Sequence, residues 1–343
     1  MLLPSVKNLK VKRKKVLIRV NYDVPLKNGQ IEDTTRIEES LPTIEFLLKQ
    51  NPQEIILISH LGRPEGKVVS ELSLAPVARW LIANLKLKIE NLNIKLKNFP
   101  GFRINEKIIL LENLRFFPEE ESNDEGFAKK IAELADFYVN EAFACSHRKH
   151  ASIVGVPKFF SLKKRAFGFD FLKEIEILKR VRENPQRPVV LILGGIKKDK
   201  LEGAKKLISW ADWVLIGGKL VEYEETSFLL DHHKVVGSLI RSGQDITMET
   251  AKKFSEIIKK AKTVVWAGPM GNFYDKRYEK GTKMVAEAVV KSGAFLVVGG
   301  GDTEAALTKF GWEKKINFVS SGGGAMLEFL AEGTLPGIKA IID

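Results

Sequence analysis

Arginine and histidine recur in the first half of the chain where short apolar runs end: Arg36, His60, Arg63, Arg115, His147 and Arg148. A guanidinium binds carboxylate and phosphate bidentately. Four arginines converging with His60 on one cleft would hold a small, multiply anionic molecule; any one alone reads as a surface residue. The second half carries glycines at the equivalent places: Gly194-Gly195, Gly217-Gly218, Gly299 to Gly301 and Gly322 to Gly324. Glycine turns let backbone N–H groups approach phosphates, helped by the N-terminus of the helix that follows. One such turn is merely a tight strand-to-helix connection. Four in succession point to a nucleotide. The chain has no G-x-x-x-x-G-K-[ST] and no full G-x-G-x-x-G after a first strand, so it is not a P-loop enzyme.

Asp302 follows the glycines of GGGDT at the expected start of a helix, where a carboxylate can hold hydrated Mg²⁺ against nucleotide phosphates. The plainer reading is a helix-capping aspartate, with Thr303 either capping or meeting a phosphate. Lys197, Lys198 and Lys200 follow Gly194-Gly195, placed to neutralise charge on a phosphoryl group in transfer or simply solvated. One half is thus suited to a small acid phosphate and the other to a nucleotide, and the reaction class is phosphoryl transfer.

These residues need a frame that presents them together. Short Val/Ile-rich runs alternate with amphipathic stretches: VLIRV, EIILIS, IILLEN, FYVNEAF, VVLILGG, WVLIGG, TVVWAG, AFLVVGGG and NFVSSGGG. Their lack of clean alternation marks strands buried on both faces of a parallel sheet. SLAPVARWLIANL, GFAKKIAELA, TMETAKKFSEIIKKAK and EKGTKMVAEAVVKS read as helices. The pattern predicts an α/β protein of two doubly wound parallel-sheet, Rossmann-like domains. A helix from about Phe171 to Arg182 is expected to connect them. The net charge of +12 favours anionic partners, yet the lysines are spread among glutamates. Basic residues are not interleaved with aromatic ones, so nucleic acid is not expected. No apolar run reaches the roughly 20 residues of a membrane span, and MLLPSVKNLKVKRKK does not read as a secretory signal. A single cysteine fits a reducing cytoplasm. Cys145, His147 and His150 match no standard zinc spacing, and a structural cysteine is expected. His232-His233 reads as a surface turn.

In VLIRVNYDVPL, SHLGRPEG, LLENLRFFPEEE, YVNEAFACSHRKHAS, TVVWAGPMG, VVGGGDTEAAL, SSGGGAMLEFL and LPGIKAI the chain resembles the phosphoglycerate kinase family almost end to end. The resemblance implies two domains facing a hinged cleft. Residues 1–168 would bind 3-phosphoglycerate or 1,3-bisphosphoglycerate, and 169–184 would form the interdomain helix. Residues 185–330 would bind Mg-ADP or Mg-ATP, and a tail over 331–343 would pack back on the first domain. It further implies a cytoplasmic, monomeric glycolytic enzyme. Carried over by position, Arg36 would meet the acid end and stabilise the transferring phosphoryl. His60, Arg63, Arg115 and Arg148 would hold the distant phosphate, with Asn21 and Asp23 beside them. Lys197 would act on the phosphoryl in flight, and Lys200 on nucleotide phosphates. Gly217, Gly218, Gly300, Gly301, Asp302 and Thr303 would complete the nucleotide site, with Mg²⁺ on Asp302. Gly322 and Gly323 would offer amides to the transferring group. No general base is needed, because carboxylate and ADP oxygens are already anionic.

The chain departs from the family pattern in places. Asn21-Tyr22-Asp23 stands for Asp-Phe-Asn, Glu141 for Asp, and Ala144-Cys145-Ser146 for Gly-Thr-Ala. GGIKKDK is one residue shorter, Lys219 replaces a glycine and Ala267 an asparagine. Tyr274 stands where the family has the glutamate that meets the ribose. The stretch from Lys219 to Asp245 is several dozen residues shorter than usual. A remodelled nucleotide site follows. An altered-substrate kinase, or a non-catalytic paralogue binding another anion, are the competing readings.

Overall fold

A computed structural model describes residues 3–85, 93–224, 226 and 234–343. His232-His233 lies outside the described residues. The chain divides into two compact units, one of 1–175 with 335–343, the other of 176–334.

The first unit contains β1 (Lys15–Val20), β2 (Leu26–Lys27), β3 (Gln30–Ile31), α1 (Thr35–Glu38), α2 (Leu41–Lys49), β4 (Glu54–Ile58), α3 (Ala75–Asn84), β5 (Asn93–Leu96) and β6 (Phe99–Arg103). It continues through β7 (Ile108–Leu111), α4 (Pro118–Ser122), α5 (Glu125–Ala132), β8 (Phe137–Glu141), β9 (Arg165–Phe167) and the start of α6 (Phe169–Glu183). Its sheet runs β5-β6-β7-β4-β1-β8-β9. The strands from β7 to β9 are parallel, and β5 and β6 pair antiparallel at one edge. The second unit carries β10 (Val189–Leu193), α7 (Asp199–Leu207), β11 (Trp213–Ile216), β12 (Lys234–Val236), α8 (Met248–Ile258) and β13 (Thr263–Ala267). It adds α9 (Lys280–Ser292), β14 (Phe295–Gly299), α10 (Gly301–Lys309), β15 (Phe318–Ser320) and α11 (Gly323–Glu332), before α12 (Pro336–Ile342) returns to the first unit. Its sheet runs β12-β11-β10-β13-β14-β15, all parallel.

Burial explains the strand sequences. Every residue of β10 (VVLIL) and β13 (TVVWA) is buried, because helices cover both faces. Each such aliphatic side chain contributes roughly 1.5–3 kcal/mol relative to exposure. The helices start and stop where local chemistry permits. Asp124 accepts from Phe127 N at 2.7 Å to cap α5, and Thr247 accepts from Thr250 N at 3.2 Å to cap α8. α9 and α11 end at Gly293 and Gly333 in left-handed conformation.

The expected connector is α6, and it starts two residues earlier than Phe171 because Glu141 serves its N-terminus. The Glu141 carboxylate accepts from Asp170 N and Phe171 N, both at 3.2 Å, and from Thr43 Oγ1 at 2.5 Å. The division between units falls inside this helix, after Ile175. The returning segment begins at Leu335, since residues up to Glu332 complete α11. Gly337 N donates to Ser146 O at 2.9 Å, and Arg165 Nη1 to Ala340 O at 2.7 Å. Ala340 packs on Cys145, Ile153 and Val154, so the cysteine is a core residue there.

Candidate functional site

In a parallel sheet all strands end on one side, so residues just beyond β1, β4, β7 and β8 share that side. Asn21 and Asp23 follow β1, His60 and Arg63 follow β4, Arg115 follows β7, and Arg148 follows β8. Two bonds lock the first two loops together: Tyr22 N donates to Ser59 Oγ, and Gly62 N to Asp23 Oδ1, each at 2.9 Å. The other oxygen of Asp23 lies 3.9 Å from both Arg36 Nη1 and His60 Nε2, and Arg36 also donates to the Asp23 carbonyl. Arg115 Nη1 donates to Gly62 O at 2.6 Å, and its Nε lies 3.1 Å from Glu121. Arg63 is exposed at the rim. The Asn21 Nδ2 is buried, and among the described residues it has no hydrogen-bond partner. Such a donor costs free energy unless a ligand accepts from it.

The site contains three residues that the expected set did not assign to it: Arg19, His147 and His150. Arg19 lies within β1 and is 1% exposed. Its Nε donates to Ser152 Oγ at 2.8 Å and its Nη2 to His60 Nδ1 at 2.9 Å, and Nη1 bonds Val20 O. The available signal was an arginine within the otherwise apolar run VLIRV, since a charge enters a doubly covered strand only if partners await it. Arg148 Nε meets His147 Nε2 at 3.4 Å. Burial, followed by Arg19, Arg115, Arg148 and His150, holds His60 well below the ordinary imidazole value. Burial together with Arg115, Arg148, Arg19 and His147 pushes His150 down to about 3. Both imidazoles are held toward their neutral form beside arginines, with Asp23 and Glu121 as the nearest carboxylates, an arrangement suited to an anion.

The second unit has the strand order 3-2-1-4-5-6 of a doubly wound fold, whose ligands bind at the reversal point between its first and fourth strands. Those strands are β10 and β13, and their glycine ends interlock. Gly194 N donates to Ala267 O at 3.0 Å, and Gly195 N to Pro269 O at 2.7 Å. Gly268 has φ +100°, and a Cβ there would lie 2.2 Å from Gly194 O, so only glycine fits. Lys200 Nζ bridges the two turns, donating to Gly194 O at 2.9 Å and Ala267 O at 3.2 Å. Lys197 is exposed on the turn before α7.

A cleft of about 340 Å³ opens at this point, within the size range of small-ligand pockets. Its lining includes Gly195, Gly218, Lys219, Gln244, Tyr274 and Asp302. Gly217 precedes Gly218 at the end of β11. Tyr274 is 69% exposed and packs on Phe273 with ring centroids 4.1 Å apart. Lys309 on α10 donates to Phe273 O at 2.6 Å and to Glu279 at 2.7 Å, tying this loop to the helix that begins beside Asp302. The Gly300-Gly301 and Gly322-Gly323 turns are adjacent, with a Cβ on Gly323 falling 2.9 Å from Gly299 O. Two helix N-termini, of α10 and α11, therefore present amides close together. Thr303 is buried, and its hydroxyl accepts from Gly268 N at 2.7 Å, joining α10 to the β13 turn.

Comparison with known proteins follows this geometry. The sequence profile named "Phosphoglycerate kinase" matches residues 6–227 and 226–333. A phosphoglycerate kinase of Finegoldia magna is 39% identical over 396 aligned positions, covering 98% of this chain and 98% of that relative. One of Moorella thermoacetica is 39% identical over 399, covering 99% of each. The solved phosphoglycerate kinase of Coxiella burnetii superposes with a TM-score of 0.77 at 32% identity, covering 99% of both chains. The fold and matches define an α/β phosphotransferase with a carboxyl group as acceptor. The chain belongs to the phosphoglycerate kinase family, whose reaction is a step of glycolysis. The profile match breaks at 226–227, inside the Lys219–Asp245 stretch, and the 396 aligned positions exceed the chain's 343 residues. Extra residues of these relatives are thus missing here.

Proposed function

We propose that this chain transfers a phosphoryl group reversibly between 1,3-bisphosphoglycerate and ADP, giving 3-phosphoglycerate and ATP. The observation that carries the reading is the convergence of Arg19, Arg115 and Arg148 on His60 and His150 at the strand ends of the first unit. Guanidinium charge among imidazoles held toward their neutral form suits a phosphorylated acid with several negative charges. Arg36 meets the acid end and stabilises the transferring phosphoryl. His60, Arg63, Arg115 and Arg148 hold the distant phosphate and its neighbouring oxygens, and the buried Arg19 positions His60 from behind. The orphaned Asn21 amide and the Asp23 carboxylate bond the substrate's hydroxyl.

On the second unit, Lys197 and the amides of Gly322 and Gly323 neutralise charge on the phosphoryl in transfer. Lys200 holds the β10 and β13 turns and adds positive charge beneath the nucleotide phosphates. Gly217, Gly218 and Tyr274 border the nucleoside, and Gly300 and Gly301 approach the phosphates. Thr303 positions α10 for them. The substrate is a magnesium nucleotide. Asp302 is exposed in the cleft lining. An ion there would be held by that one carboxylate, phosphate oxygens and water. Bound Mg²⁺ supplies neutralisation of phosphate charge. The family resemblance carries the reading of a monomeric, cytoplasmic enzyme. The one cysteine is buried and free, and among the described residues no helix is long and apolar enough to cross a membrane.

The test is phosphoryl transfer from ATP to 3-phosphoglycerate with Mg²⁺, with Arg36→Ala as the control. Activity that the variant lowers by roughly 10²–10³ is expected. A folded wild type without transfer from ATP or GTP would overturn the reading.

A further inference from the structure

Few large apolar side chains are exposed among the described residues. Ile196 and Tyr274 are accounted for by the cleft of the second unit, which they line. Phe159 and Leu162, 41% and 51% exposed, stand close together on the first unit. They sit on two consecutive 3₁₀ turns, Val156–Phe159 and Leu162–Lys164. Lys158, Lys163 and Lys164 are exposed beside them. Pro157, Phe160 and Arg165 are buried, so the residues between them face outward together. Phe160 packs on Tyr138 with ring centroids 6.0 Å apart, and Arg165 Nη1 donates to Pro157 O at 3.3 Å. Phe160 N donates to Pro157 O at 3.0 Å and Lys164 N to Ser161 O at 2.8 Å, which fixes the backbone. From Ala142 to Phe169 the chain carries six lysines and arginines and no aspartate or glutamate. The carboxylate of Asp343 acts on the buried Arg165. Among the described residues, none of Lys158, Lys163 and Lys164 has an ion-pair or hydrogen-bond partner.

We propose that this basic surface with two apolar tips docks the protein reversibly on an anionic lipid surface. Phe159 and Leu162 enter the headgroup layer, and Lys158, Lys163 and Lys164 meet the lipid phosphates and carboxylates. The contact lies on the membrane and does not cross it. Lysine stems bury their methylenes at such a boundary while the ammonium stays among the headgroups. Each lysine near an anionic leaflet strengthens binding roughly fivefold. The two apolar side chains add the part that salt does not screen. Neither part alone holds a protein, and together they give weak, reversible attachment. The backbone is already fixed, so docking orders little of the chain. A nucleic acid would use the lysines but not Leu162, because bases stack on aromatic faces. An acidic protein would answer the lysines, yet the two apolar tips would need a matching pocket on it. A bilayer needs none.

The experiment is co-sedimentation of the full chain with vesicles of phosphatidylcholine alone and of phosphatidylcholine with about one-third phosphatidylserine. Binding to the anionic vesicles should exceed that to the neutral ones by about tenfold or more. Raising salt from about 0.1 M to about 1 M should weaken it by a similar factor. Phe159→Ala with Leu162→Ala should lower binding roughly tenfold. Lys163→Glu with Lys164→Glu should lower it by about 10². Lys252→Glu with Lys253→Glu on α8 removes the same charge from the second unit and should lower it by less than about threefold. All these side chains are exposed, so unchanged thermal melting of each variant separates loss of docking from misfolding. Equal losses in the two lysine pairs overturn the proposal in favour of unspecific attraction to a basic chain. Vesicle binding that the two alanines leave unchanged overturns it in favour of a purely electrostatic contact, such as RNA or an acidic protein would make. Equal binding to both kinds of vesicle, or to neither, overturns it outright.

Discussion

Arg19 Nη2 donates to His60 Nδ1 at 2.9 Å. A guanidinium has no acceptor, so this ring nitrogen is unprotonated, and the ring's own N–H is at Nε2, toward Asp23. His60 is a neutral imidazole held in one tautomer by an arginine that is itself fully buried.

Substrate binding is linked to protons through His150. A phosphorylated acid placed among Arg19, Arg115 and Arg148 offsets part of the positive field that, after burial, holds His150 low, so its pKa rises. The ligand's phosphate, with a second pKa of about 6, gives up protons among the same arginines. Titration with 3-phosphoglycerate in buffers of different ionisation enthalpy should therefore show more proton release, or less uptake, in His150→Gln than in the wild type. Equal proton linkage in the two proteins would contradict this.

The pH dependence of stability has a definite sign. His150 is depressed to about 3 in the folded chain, so the unfolded chain binds its proton first. Its contribution is present above about pH 6.5 and is lost as pH falls toward 3. Glu141, raised to about 8 by burial, works oppositely: its contribution is present at low pH and is lost as pH rises through about 8. Denaturant melts of wild type and His150→Gln from pH 7 to 4 isolate the histidine, and the variant should lose less stability over that range.

Arg19→Lys keeps the charge but cannot reproduce the fork to Ser152, Val20 and His60. The expected cost is about 1–3 kcal/mol of stability. KM for 3-phosphoglycerate should rise roughly tenfold or more, with KM for ATP unchanged. A matched rise in both constants would point to general loosening instead.

Gly323→Ala tests the phosphate turns. The added methyl would sit 2.9 Å from Gly299 O, forcing apart the two glycine turns that start α10 and α11. We expect kcat to fall by about 10²-fold, with 3-phosphoglycerate binding retained by the first unit.

Lys309→Met removes the tie from α10 to Phe273 O and Glu279. The Tyr274 loop loses its anchor, so KM for ATP should increase about fivefold, in the range of one partly exposed charged contact. Rescue by Lys309→Arg would support positioning; an unchanged KM in Lys309→Met would show that the loop holds itself.

The features legible in the chain were those written in local patterns. A strand covered on both faces must be apolar throughout, so runs such as VVLIL and TVVWAG declared themselves. Glycines and arginines placed just after those runs had to emerge on one side of each sheet, whatever the order of strands. β5, half exposed in alternation, has no such run, and β9 and β12 are three residues each. They exist because a neighbouring strand offers its edge.

Non-local pairing decided the rest. Spacing along the chain marked Arg19 as a strand residue; only the arrival of Ser152 and His60 from distant segments makes a buried guanidinium affordable and turns it toward the anion site. Thr303 was placed correctly at a helix start, and only the fold brings Gly268 N to its hydroxyl. The amides of Gln244 and Asn272 carry no motif and meet only because the segments before α8 and after β13 fold side by side. A sequence records what each residue can offer. Which offers are accepted depends on the groups that strand order brings within 3 Å or so, and buried polar groups must find such partners.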